Sequence, residues 1–219
     1  MKLFTSLESQ DAVNITPITT KSSENEITVY ADIGDLSGLD QALSKTTQTD
    51  YVAKFEKDGC KARVRIIETE DSKRIEYTIK IKNPDQGNGA VASCTEYTVE
   101  VDELFLEGFK VIAEEPITKD RYVFETKEAT VSIGEDETKT MSVEGIIYEI
   151  DILANNPNQC KIDIEVDKVI EAVTDIGNAD TKINILAKVS HLPFKPTNVF
   201  SVFNGDQEKV DKFWELARA

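Results

Sequence analysis

The sequence predicts an α+β protein: an antiparallel β-barrel, in effect a tunnel, with helices packed outside it. Two patterns lead there. Most segments from residue 26 onward alternate apolar and polar side chains with the period of a strand. The charges on those segments are also sorted by sign, some strands offering paired cations and others paired acids. Like charges side by side repel, so a solvated sheet more often mixes signs. A closed barrel with its charges inside and its aliphatic face outside accounts for the sorting. Periodicity alone also admits an open sheet with one wet face, and at this level the two geometries stay open.

Residues 1–24 are polar and rich in Ser and Thr, and read as an irregular leader ahead of a single domain over 25–219. Residues 26–33 alternate as a strand. Residues 37–43 read as a helix capped by Ser37, with Leu36, Leu39 and Leu43 on one face. A short strand follows at 51–55. Residues 61–67 and 74–82 alternate strongly and form a hairpin across an acidic turn. Residues 83–89 are a loop, and 94–101 another strand. A helix over 102–113 buries Leu104, Phe105, Phe109 and Ile112, with Gly108 weakening it. Further strands are expected at 119–126, 129–133, 145–153 and 160–166. Val169, Ile170, Val173 and Ile176 have helical spacing, and 182–189 reads as a strand or a continued helix. Asp206 can cap a C-terminal helix over 206–219, which buries Val210, Phe213, Trp214 and Ala217.

Composition narrows the function. Of 219 residues, 40% are hydrophobic, enough for a core, and the formal net charge is −16. Phosphate contacts dominate nucleic-acid affinity, so a chain this acidic is not a general DNA binder, and anionic membranes repel it as a whole. A small internal cationic pocket is compatible with the total. Cys60, Cys94 and Cys160 are sparse and odd in number, which argues against a disulfide framework and a structural zinc site. No signal peptide and no eighteen-residue apolar run is present, which makes a soluble cytoplasmic protein the expectation. The sequence leaves an oligomer open.

On the strands, Arg63 and Arg65 share a face, as do Lys80 and Lys82, and Lys119 and Arg121. Glu96 and Glu100 share a face with Cys94 and Thr98. Glu149 pairs with Asp151, and Asp163 with Glu165. His191, the only histidine, has no identifiable partner and reads as a packing or loop residue. Phe213 and Trp214 read as core rather than as a base-stacking platform.

The order of these pairs is informative. Ala62-Arg63-Val64-Arg65 is similar to a Leu-Arg-x-Arg strand, and Tyr77-Thr78-Ile79-Lys80 to a Thr-x-Lys strand. Glu96 to Glu100 is similar to an acidic strand, and Lys119-Asp120-Arg121 to a Lys-x-Arg strand. Tyr148-Glu149-Ile150-Asp151 and Asp163-Ile164-Glu165 are similar to late acidic strands. In that order, over residues 26 to 167, the chain resembles the CYTH superfamily of triphosphate tunnel enzymes. Its departures are Thr28 and Tyr30, where the Glu-x-Glu-x-Lys signature has its second Glu and its Lys, with Cys94 and Thr98 in the acidic strand.

The resemblance implies a charged tunnel that binds a phosphate-rich small molecule or nucleotide with Arg63, Arg65, Lys80, Lys82, Lys119 and Arg121. It implies a divalent cation, Mg²⁺ or Mn²⁺, held by Glu26, Glu96, Glu100, Asp163 and Glu165, with Arg65, Lys80 and Glu165 serving catalysis. Guanidinium forks suit phosphate oxygens, and these metals prefer carboxylate, water and phosphate ligands. The implied function is a metal-dependent hydrolase of inorganic triphosphate or of a nucleoside or RNA 5′-triphosphate. Two alternatives accompany it: a non-catalytic nucleotide or polyphosphate binder on the same scaffold, and a ligand-free structural or interaction protein.

Overall fold

A computed structural model describes residues 20–34, 37–54, 59–83, 92–126, 129–131, 141–168, 196–202 and 205–218. Its elements in chain order are β1 (Thr20–Ile33), β2 (Ser44–Val52), β3 (Cys60–Glu68), β4 (Lys73–Lys82), β5 (Ala92–Glu100), α1 (Glu103–Lys110), β6 (Ile117–Thr126), β7 (Ala129–Val131), β8 (Met141–Val143), β9 (Ile146–Leu153), β10 (Asn156–Glu165), β11 (Pro196–Phe200) and α2 (Gln207–Arg218).

Eight strands form a ring in the order β10, β9, β6, β2, β3, β4, β5, β1, and β10 pairs back onto β1. Every pairing is antiparallel, so the ring is a closed barrel and the open-sheet alternative falls away. β1 makes the closing seam. Its first half pairs with β5 from Thr20↔Thr98 to Glu26↔Ala92. Its second half pairs with β10 from Glu26↔Glu165 to Asp32↔Gln159. Where β5 leaves that edge, β11 takes it over at Tyr30↔Phe200. β7 and β8 form a separate two-stranded hairpin.

Side chains alternate across each strand, so closure sends one set inward and one outward. Outward Val64 is fully buried where α1 covers β3 and β4. Asp102 caps α1 by accepting from the Phe105 N–H at 2.9 Å. The helix buries Leu106 and Phe109, while Leu104 is 81% exposed, and Phe105 and Ile112 are also exposed. The expected buried face was therefore rotated: the contact with the sheet is centred on Leu106 and Phe109, three residues apart on one side.

The second helix sits differently. Val210, Phe213 and Ala217 of α2 pack with Tyr30, Ile117, Leu153 and Phe200. Tyr30 and Ile117 also line the barrel interior. α2 therefore stands across one end of the barrel, not on its flank. The Tyr30 ring is 4.8 Å from that of Phe213 and 5.5 Å from that of Phe200. The Trp214 Nε1–H donates to the Tyr30 hydroxyl at 3.1 Å. The expected buried face of this helix is borne out. At its start the Asp206 carbonyl accepts from the Val210 N–H, while the Asp206 carboxylate takes the Lys209 ammonium.

Other boundaries move. Residues 20–24, expected in the leader, belong to β1, where the β5 ladder satisfies their backbone. The helix expected over 37–43 is a single 3₁₀ turn, Leu39–Gln41, that buries Leu39 and leaves Leu43 65% exposed. The strand expected at 51–55 begins seven residues earlier, at Ser44. β11 was not expected. The readings for 1–19, 84–89, 132–133, 169–176 and 182–189, and that for His191, lie outside the described residues. Among the described residues no helix is long and apolar enough to cross a membrane.

Phe213 is 1% exposed at the seat of α2. Phe213→Ala should cost about 3–5 kcal/mol of unfolding free energy by removing a buried aromatic ring, measured by urea denaturation.

Candidate functional site

The inward side chains enclose a cavity of about 840 Å³ lined mainly by charge. Ring order sets where each charge lies. β3 and β6 flank β2, while β5 and β10 flank β1 on the opposite side. The first wall is cationic and the second acidic.

On the cationic wall Arg65 grips Asp50 with a bidentate fork, Nε to Oδ1 at 2.5 Å and Nη2 to Oδ2 at 2.9 Å. The Lys119 ammonium donates to Asp151 Oδ2 at 2.5 Å and lies 3.4 Å from Asp50 Oδ2. Arg121 donates to both oxygens of Asp151, at 2.6 and 2.8 Å, and to Glu149. Asp50 and Asp151 are thus shared between cations. Burial alone would raise Asp50, but Arg65 and Lys119 outweigh it and hold the carboxyl well below the usual range. The same contest, with Lys119 and Arg121 as the cations, holds Asp151 down. Lys119 is pushed down to about 8 by burial, helped by the charges of Arg65 and Arg121, against the pull of Asp151 and Asp50. Arg63 faces the same space with its Nε buried and unpartnered. A buried guanidinium donor without an acceptor is costly, and the natural acceptor is an anion in the cavity.

The acidic wall mirrors this. The Lys80 ammonium lies 3.3 Å from Glu24, 3.2 Å from Glu26 and 3.2 Å from Glu96. Glu165 is the cross-strand neighbour of Glu26. Burial and the nearby Glu96 raise Glu24, and burial with Glu149 and Glu24 raises Glu165. One ammonium does not neutralise this cluster. Its hard oxygen donors fit a divalent cation of the Mg²⁺ or Mn²⁺ type. The Cys94 thiol lies 3.9 Å from Glu24 and is pushed up to about 11 by burial, so at neutral pH it is an un-ionised neighbour of the carboxylates.

Also on this side, on β10, Lys161 pairs with Asp163, whose other oxygen accepts from the Thr28 hydroxyl at 2.7 Å. Burial would lower Lys161 and raise Asp163, but each charge reverses that for the other.

Arg63, Arg65, Lys80, Lys119, Arg121, Glu26, Glu96, Asp163 and Glu165 therefore share one cavity. Lys82 and Glu100 do not line it. Each stands exposed at the end of its strand, past the enclosed stretch. Asp163 is paired with Lys161 and Thr28. Sequence reasoning missed Asp50, hidden in the Ser/Thr-rich β2, and Lys161, which stands two residues before Asp163 on the same face. Glu24, at the end of the expected leader, also lines the cavity.

No protein-family model matches the chain, and no curated protein matches it. Among solved structures it is similar to the PH1819 protein from Pyrococcus horikoshii OT3, at 14% identity and TM-score 0.44 over 84% of this chain and 99% of that one. It is also similar to a conserved hypothetical protein from Pyrococcus furiosus, at 16% identity and TM-score 0.41 over 74% and 97%. The inorganic triphosphatase NE1496 matches at 16% identity and TM-score 0.36 over 64% and 74%. The architecture is a closed ring of eight antiparallel strands with helices packed against it. The overlaps themselves carry no argument about family or activity.

Asp151 is 1% exposed between two cations. Asp151→Asn leaves Lys119 and Arg121 without their shared counter-charge and should cost about 3–5 kcal/mol, read as a shift of the urea midpoint at unchanged slope.

Proposed function

We propose that the barrel binds a short oligophosphate, inorganic triphosphate or the triphosphate of a nucleotide or RNA 5′ end, and hydrolyses its terminal phosphoryl group with a divalent cation. The observation that carries this reading is the unpartnered, buried Nε of Arg63 beside Arg65, Lys119 and Arg121, opposite a carboxylate cluster. A linear polyanion with bound metal offers what both walls lack: acceptor oxygens for the guanidinium donors and positive charge for the glutamates.

In this reading Arg63 and Arg65 orient phosphate oxygens, with Lys119 and Arg121 adding charge along the chain. Glu24, Glu26, Glu96 and Glu165 are the residues that would hold the metal. Such an ion, when bound, neutralises phosphate charge and lowers the pKa of a bound water. Lys80, now centred among the carboxylates, is free to turn to the phosphate once their charge is met. No histidine or thiol nucleophile is required. Nothing about the acidic total opposes this, because Arg63, Arg65, Lys119 and Arg121 are gathered on one inner wall.

A second reading, binding without turnover, is favoured by Tyr30, which is held under α2 and places no cation on β1. Binding and phosphate release separate the two. Purified protein titrated with tripolyphosphate should bind it, and Arg63→Ala should weaken binding about tenfold or more for one lost charge-assisted contact. Phosphate release with Mg²⁺ or Mn²⁺ identifies the hydrolase, and binding without release identifies the binder. Absence of binding sinks both.

Lys119 adds a pH signature. Below about 8 its ammonium is charged in the free protein, and above that value it has lost its proton. An incoming polyanion favours the charged form, so binding above pH 8 should take up a proton and weaken as pH rises. Calorimetry at pH 8.5 in two buffers of different ionisation enthalpy reads that uptake, which Lys119→Arg should reduce.

A further inference from the structure

The proposed function gives no role to Lys161, a largely buried cation of β10 that lines the same cavity. We infer that Lys161, steadied by Asp163 and Thr28, is an oligophosphate-binding residue that delivers from β10 the positive charge missing from β1 at Tyr30. The inference rests on the proposed reading of the cavity as an oligophosphate site.

Three observations support it. First, Tyr30 is unavailable. It is 6% exposed, its ring packs against Phe200 and Phe213, and its hydroxyl accepts from Trp214. An ammonium in its place would be buried among aromatic rings at the seat of α2. Second, the register of the closing seam sets Tyr30 directly opposite Lys161 and Thr28 directly opposite Asp163. Both positions where β1 departs from an acid-and-cation pattern therefore face an acid and a cation on the adjoining strand. Cross-strand neighbours stand about 5 Å apart at Cβ, so the charges move sideways by one strand and remain on the inner face. Third, the Lys161 side chain is only 19% exposed, lines the cavity, and is ion-paired to Asp163. An ammonium has three donors, and this carboxylate occupies one direction. Asp163 is itself held from the other side by the Thr28 hydroxyl. A lysine anchored in this way is pre-positioned and loses little side-chain freedom when a phosphate oxygen arrives.

A merely structural role, in which Lys161 only neutralises its acidic neighbours, makes a different prediction. The experiment is calorimetric titration of the full chain with tripolyphosphate in the absence of divalent ions, alongside thermal melts. Wild type should bind. Lys161→Gln should weaken binding about tenfold or more, and Lys161→Arg should recover most of it. In wild type the ammonium resonance of Lys161, followed by nitrogen NMR, should shift as tripolyphosphate saturates the protein. If Lys161→Gln folds and binds as wild type does, the inference is overturned while the reading of the cavity stands. If Lys161→Gln does not fold, the ammonium resonance of Lys161 in wild type decides: no shift on saturation with tripolyphosphate overturns the inference. If wild type itself does not bind, the reading of the cavity fails and the inference with it.

Discussion

Closure of the sheet is the constraint on which the rest depends. A ring of eight antiparallel strands leaves half of its side chains no place but a shared interior. The sequence fills that interior with ions, and a poorly solvated ion is stable only with a partner. Each wall therefore carries minority residues of the opposite sign. Lys80 stands among Glu24, Glu26 and Glu96, while Asp50 and Asp151 stand among Arg65, Lys119 and Arg121. These minority residues pair the charges of the wall in which each stands. They are also the groups a bound anion and a bound metal would most directly compete with.

Much of this was legible in the chain itself. Where a strand alternates strictly, as in Ala62-Arg63-Val64-Arg65-Ile66, period two put both arginines on one face, and closure made that face the inner one. It failed where the alternation is polar on both faces. β2 reads Ser-Lys-Thr-Thr-Gln-Thr-Asp, with no aliphatic beat to mark a strand, so Asp50 and its fork to Arg65 were invisible. The 3₁₀ turn at Leu39–Gln41 failed differently: helical spacing does not make a helix where Leu39 is buried and Leu43 stays in solvent. Pairing across the ring was beyond local pattern altogether. That Thr28 meets Asp163 and Tyr30 meets Lys161 depends on a register between segments about 130 residues apart, and only the closed structure supplies it.

Tyr30 shows how one position serves two demands. Its strand belongs to the charged interior, yet its side chain belongs to the aromatic cluster that seats α2. The same ring that makes a floor for the cavity removes a charge from it. Seen this way, the chain trades an ionic position for a packing one at the helix-covered end, and the neighbouring strand carries the ion.

The closing seam has a consequence for how the molecule is made. β1 precedes every other strand of the ring along the chain, and its second half pairs with β10, the last of them. Long-range pairing of that kind is slow, and an unpaired strand edge recruits other chains while it waits. The opening stretch of β1, Thr20-Lys-Ser-Ser-Glu-Asn-Glu26, is polar throughout. Charged and hydroxyl side chains discourage edge-to-edge association. The nascent strand thus carries its own protection against the interval between leaving the ribosome and meeting its last partner.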